Sequence, residues 1–130
     1  VLTFRNLHNW YGNGGDEGMV AIFKDFYNAL KPGGVLGVVE HRLPADKASG
    51  DWQKTGYFPQ ALAIKLAEQA GFVFEASNDL LLNPKDTADH PSGIWSLPPS
   101  LAVDEKDKAK YQAIGEANQM MLKFRKPATK

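Results

Sequence analysis

The chain has 130 residues, no cysteine, and 15 acidic side chains against 15 lysines and arginines. The absence of cysteine excludes disulfides, zinc–thiolate centres and thiol catalysis, and a formal net charge of zero argues against nucleic acid as the main partner. With 43% hydrophobic and 23% charged residues the composition is that of one folded domain with a real core. No run of about 18 apolar residues is present to cross a membrane. No signal peptide is visible, and the composition leaves cytoplasm and periplasm both open.

The chain opens on Val1-Leu2-Thr3-Phe4, an apolar strand signal with no polar lead-in, so a truncated or processed fragment is expected. Arg5 to Asn9 leave that strand, and residues 10–15 read as a Gly-rich loop. Asp16 fits a helix N-cap, and Met19, Ile22, Phe23, Phe26 and Leu30 then follow helical spacing on one face. Pro32 and Gly33 stop that helix. Residues 35–39, Val-Leu-Gly-Val-Val, carry no charge and no alternation, as expected of a strand covered on both faces. Strand, helix and strand within about forty residues make a right-handed βαβ unit.

Residues 43–55 are loop-like. Pro59 fits the first turn of a second helix, with Leu62, Ala63, Leu66, Ala67 and Ala70 as its buried stripe and Gly71 as its end. Residues 72–76 read as the next strand, with Leu80-Leu81-Leu82 continuing its ladder after a polar interruption. A polar loop spans residues 83–93. Ile94-Trp95-Ser96-Leu97-Pro98-Pro99 is apolar but irregular and is read as packed over the domain. Residues 104–113 make a short charged helix, and Met120, Leu122 and Phe124 alternate with Met121, Lys123 and Arg125 in a last strand.

Ligands of open parallel sheets bind at the carboxyl ends of the strands, which puts Glu40, His41 and Arg42 where chemistry is usual. His8 and His41 both follow apolar strands that the βαβ unit makes parallel, so their side chains converge at one rim. Such a pair could act as a general base, or bind a metal with Glu40. Histidines without helical or tight-turn spacing are weak metal evidence, so no metal is assigned, and two hydrogen-bonded rim histidines are the simpler alternative. Asn6 can contact a polar ligand from two sides, and Trp10 can wall a pocket. Arg42 could hold a carboxylate, or simply pair with Glu40 or Asp46. His90, in a loop, is given a structural or idle role. Gly12-Asn13-Gly14-Gly15 precedes a helix but matches neither the dinucleotide fingerprint nor the P-loop, so a flexible loop is the simpler reading than a phosphate cradle.

Taken together, these segments resemble the second half of a class I methyltransferase that uses S-adenosylmethionine. Leu30-Lys31-Pro32-Gly33-Gly34-Val35-Leu36 is similar to the L-K-P-G-G-x-L segment before that fold's fifth strand. Val1-Leu2-Thr3-Phe4-Arg5-Asn6-Leu7-His8-Asn9-Trp10, Val39-Glu40-His41-Arg42, Lys54-Thr55-Gly56-Tyr57, Asn83-Pro84-Lys85-Asp86 and Gly93-Ile94-Trp95-Ser96-Leu97-Pro98-Pro99 resemble a bacterial family of predicted methyltransferases of unassigned substrate. The likeness runs through Gly115-Glu116 and Met121-Leu122-Lys123-Phe124, except that Asn118-Gln119 stand where an acidic–basic pair is expected.

The resemblance implies an α/β fold: a partial Rossmann-like methyltransferase sheet of about four strands flanked by helices, the last strand antiparallel and inserted between its neighbours, without the first three strands. It places Arg5 and Asn6 near the cofactor's methyl group. His8, His41 and Glu40 become catalytic candidates, and Asn6, Trp10, Arg42 and Tyr57 acceptor-binding ones. The cofactor implied is S-adenosylmethionine, but its usual holders, a Gly-rich loop after the first strand and an acid ending the second, are not in this chain, and no G-x-G-x-G occurs. The expected function is the acceptor-side half of a methyltransferase for a small molecule, weak or inactive alone. The alternative is a non-enzymatic module that pairs, with its own copy or a separate first half, through the edge formed by residues 1–4. A hydrolase built on His41 and an aspartate lacks the G-x-S-x-G elbow.

Overall fold

The computed structural model describes residues 1–48 and 50–128. Strand β1 (Leu2–Phe4) is followed by helix α1 (Leu7–Ala29) and strand β2 (Val35–Leu43). A 3-10 turn (Ala45–Lys47) and the two-residue strand β3 (Phe58–Pro59) lead into helix α2 (Gln60–Gln69) and strand β4 (Val73–Asn78). Further 3-10 turns (Gly93–Ser96, Glu105–Asp107), helix α3 (Lys108–Ile114) and strand β5 (Gln119–Arg125) complete the chain. The sheet is open and mixed, in the order β1-β2-β5-β4, and β3 pairs separately with β2.

β1 and β2 are parallel, with Phe4 opposite Val39, so they and α1 form the expected βαβ unit. β5 runs antiparallel between β2 and β4, as the resemblance implies. Leu36, Val38 and Glu40 of β2 lie opposite Phe124, Leu122 and Met120 of β5, and all six are buried on one face. Met19 and Phe23 of α1 and Ala63, Leu66 and Ala67 of α2 join the five apolar ones in one core. Lys126 ties the far ends together: its ammonium donates to the Tyr27 and Leu30 carbonyls at 2.8 Å each, which satisfies acceptors at the end of α1.

Four expectations change. First, residues 10–14 are helical. Leu7, Trp10 and Tyr11 follow helical spacing and pack on the core, and that burial outweighs the poor helix propensity of Gly12 and Gly14. The break falls only at Gly15 (φ 63°, ψ −156°), a conformation that needs glycine. Second, β2 does not stop at residue 39. Glu40 and His41 continue the ladder with β5, and Arg42 and Leu43 pair with β3. Third, β2 is covered fully on one face only. On the other face Val35, Gly37 and His41 are only half-buried, and Leu2 and Phe4, beside it on β1, are 72% and 51% exposed. Fourth, Leu80 to Leu82 do not extend β4. The Asn78 side chain accepts from the Leu80 N–H at 2.6 Å and turns the chain, leaving Leu80 78% exposed.

A bulge between Phe74 and Ala76 offsets Glu75, whose carboxylate meets Lys123 and Arg125 of β5. Arg125 first and Lys123 second hold that carboxyl down from 4.5 to about 2. A lowered folded-state value means the stabilisation is present above pH 4.5 and is lost as the pH falls toward 2. Glu75→Gln is therefore expected to flatten the acid limb of a stability–pH curve over that window, with a smaller difference at high salt because the cluster is exposed. Identical acid limbs at low salt would contradict this.

Candidate active site at the carboxyl ends of the parallel strands

The turn from β1 into α1 is tight. Arg5 takes φ 55° and its N–H donates to the Val39 carbonyl at 2.6 Å. This turn, with the parallel register of β1 and β2, brings His8 in the first turn of α1 against Glu40 and His41. Glu40 is fully buried. Its Oε2 accepts from the His8 backbone N–H at 3.0 Å and lies 2.9 Å from His8 Nδ1, and its Oε1 accepts from the His41 N–H at 2.8 Å. His41 Nδ1 lies 3.3 Å from Oε1 but off the hydrogen-bonding direction, and is buried without a hydrogen-bond partner. The two imidazole rings are 5.9 Å apart.

A buried carboxylate is costly unless donors surround it. Burial would push the Glu40 carboxyl up, but the flanking His41 and His8 imidazoles and the His41 N–H hold it down, at about 2. Glu40 is therefore ionised at neutral pH. An ionised carboxylate only accepts, so His8 Nδ1 carries the hydrogen between them. A carboxylate fixing the tautomer of an imidazole is a recurring arrangement in acid–base sites.

Trp95, from the Gly93–Ser96 turn, stands edge-on to His8 at 6.3 Å. Beside it a cavity of about 270 Å³ is lined by Arg5, His41, Trp95, Pro99 and Glu116 among others. A second hollow of about 490 Å³ opens on the exposed sheet face between Phe4, Leu81, Leu82 and Met121, and it shares Arg5 and Glu116 with the first. The segment at residues 94–99, expected to be irregular, contains one 3-10 turn and does pack over this end of the sheet, with Ser96 and Leu97 buried.

The convergence of His8, Glu40 and His41 is present, although Glu40 and His41 lie within β2 and not after it. Arg5 reaches the cavity, and Asn6 is exposed at the start of α1. Trp10 packs on Phe26 at 5.8 Å, and Trp95 is the aromatic wall instead. Arg42 pairs with Asp79 at 3.3 Å and with neither Glu40 nor Asp46, because the longer β2 carries it past the rim. Tyr57, expected to bind an acceptor, is fully buried and shares its hydroxyl hydrogen between the two oxygens of Asp86 at 2.9 and 2.7 Å. Burial, then the Asp86 carboxylate beside it, pushes the Tyr57 phenol far up.

Sequence reading missed Asp86 as an organising residue. Its carboxylate also meets His90 Nε2 at 2.8 Å and accepts from the N–H groups of Ala88 and Asn118 at 2.9 and 2.8 Å. His90 thus has the structural role expected, edge-on to Tyr111 at 5.4 Å. Asn118, which departs from the pattern of the resembled family, clamps loops together: its side chain accepts from Asn83 N–H at 2.9 Å and its carbonyl from Arg42 N–H at 2.8 Å. The signal for this network was the Asn83-Pro84-Lys85-Asp86 segment, whose polar residues sit in a loop that would otherwise need none of them.

No protein-family model matches this chain, and neither does any curated protein. Among solved structures it is similar to a protein assigned as a sarcosine dimethylglycine methyltransferase from Galdieria sulphuraria, at 19% identity over 85% of this chain and 48% of that one, with a TM-score of 0.46. It is also similar to the [4+2]-cyclase SpnF, at 22% identity over 87% of this chain and 44% of that one, with a TM-score of 0.48. The chain spans less than half the length of either protein. Both likenesses are of fold alone.

Proposed function

We propose that this chain is the acceptor-side half of a methyl-transfer site that works with S-adenosylmethionine. The observation that carries the reading is the His8–Glu40–His41 cluster at the carboxyl ends of β1 and β2, beside a cavity of small-molecule size. The likeness of the segments around Leu30–Leu36 and Val39–Arg42 to class I methyltransferases supports it. The cofactor itself does not fit this chain alone. Its usual holders, a Gly-rich loop after the resembled fold's first strand and an acid ending the second, are not among the elements described, and no step of methyl donation is assigned to residues here.

His41 reaches the cavity wall and is the proton acceptor for the methylated group. Ionised Glu40 stabilises the imidazolium that forms, and His8 holds Glu40 in place. Arg5 and Glu116 present opposite charges to an acceptor in the cavity. Titrated alone with S-adenosylmethionine in a calorimeter, the chain is expected to show no micromolar binding; such binding would overturn the half-site. Joined to a polypeptide that supplies the first three strands, it is expected to turn over. His41→Ala should then lower kcat/KM by about 10²–10⁴ and His8→Ala by about tenfold. Unchanged turnover in both variants would sink the role.

A second reading rests on the exposed β1 edge, where Leu2 and Phe4 stand in solvent beside unpaired backbone groups. The chain then acts as a module that pairs through this edge with a second copy or with a separate first half. Sedimentation at rising concentration tests it: wild type should associate and Phe4→Lys should not. A wild-type monomer at all concentrations would defeat self-pairing.

A further inference from the structure

We propose that His8, Glu40 and His41 form a binding site for one divalent transition-metal ion of the zinc kind, and that its occupancy blocks His41 as a proton acceptor. The second half rests on the reading of His41 given above; the first does not. One ligand atom from each residue lies within 4.8 Å of the other two. The Glu40 oxygens are 2.9 Å from His8 Nδ1 and 3.3 Å from His41 Nδ1. Bonds of about 2.0–2.1 Å to a tetrahedral ion set neighbouring ligand atoms about 3.4 Å apart, so small ring movements suffice to admit one.

Two features favour an ion over hydrogen bonds alone. His41 Nδ1 is buried with no hydrogen-bond partner, and coordination would satisfy it. Glu40 is fully buried between two imidazoles, so a cation would face one full negative charge and two neutral donors. Binding through Nδ1 moves the one hydrogen of neutral His8 from Nδ1 to Nε2 by way of solvent, and both neutral rings then carry their single hydrogen on Nε2. An imidazole coordinated through Nδ1 and protonated at Nε2 has no lone pair left to accept a proton. Two imidazoles with one carboxylate suit zinc, cobalt or nickel better than magnesium or calcium, which take oxygen ligands.

The test is calorimetric titration of the chelator-stripped chain with ZnCl₂ near neutral pH, with Co²⁺ as a spectroscopic probe. One ion per chain is expected, at about micromolar affinity or tighter. His8→Ala and His41→Ala should each weaken it by about tenfold or more, and both should erase the visible Co²⁺ bands. Millimolar Mg²⁺ should not compete. No binding tighter than about 100 µM, or equal binding in wild type and both folded variants, overturns the proposal. If either alanine variant fails to fold by circular dichroism, His8→Gln or His41→Gln takes its place. Turnover in metal-free buffer reads the base role separately, so failure here leaves that reading standing, and failure there leaves the ion site standing.

Discussion

Asp86→Ala is expected to lower the unfolding free energy by about 3–5 kcal/mol. The carboxylate is wholly buried and receives the Tyr57 hydroxyl, the Ala88 and Asn118 N–H groups and the His90 ring. Removing it leaves those donors without an acceptor in a place water does not reach, and each buried unsatisfied group costs about 1–3 kcal/mol. It also unties three stretches that are far apart in sequence, around Tyr57, His90 and Asn118. Asp86→Asn keeps the shape but not the charge, and should fall between the two. Urea unfolding with an unchanged m-value measures both variants. A loss below about 1 kcal/mol for Asp86→Ala would mean that water replaces the carboxylate and that the network is not a fastening.

Gly93→Ala is expected to destabilise by about 2 kcal/mol or more and to loosen the wall of the site. Gly93 takes φ 58°, which alone costs another residue about 1–3 kcal/mol. A Cβ there would also overlap the Thr55 carbonyl oxygen, which is backbone and cannot rotate away. That same oxygen accepts the Ile94 N–H at 2.9 Å, so the clash falls on the bond that docks the Gly93–Ser96 turn. Trp95 rides on this turn and its ring meets His8. The variant should therefore show both a lower urea midpoint and a more quenchable tryptophan. Gly12→Ala should do neither: nothing lies within 4 Å of the added atom and the backbone is helical, so its urea midpoint should hold or rise, by up to about 1 kcal/mol of stability. If Gly93→Ala matched Gly12→Ala in both readouts, the turn would not be held as described.

The pattern of side chains along the chain determined a good deal here. The β1-α1-β2 unit, the alternation of β5, and the stripe Leu62, Ala63, Leu66, Ala67 and Ala70 along α2 and its C-cap, of which Leu62 alone is only half-buried, were legible, because each rests on a pattern local in the chain. The meeting of His8 with Glu40 and His41 was legible too. It needs only that two strands joined by one helix lie parallel, which their right-handed connection dictates.

Tertiary structure alone decided the rest. Residues 10–14 became helix because Leu7, Trp10 and Tyr11 had a core to pack against, a gain that no local propensity records. β2 ran on through Glu40 to Leu43 because β5 and β3, distant in sequence, supplied partners for its backbone. That extension moved Glu40 from a solvent rim to the buried face, and so turned a surface acid into an ionised carboxylate fixed by two histidines. Tyr57 was withdrawn from the site by Asp86, and Trp95 took the place expected of Trp10, through contacts between loops with no period of their own. Periodicity records which face a residue presents, but only the packed chain determines what stands opposite it.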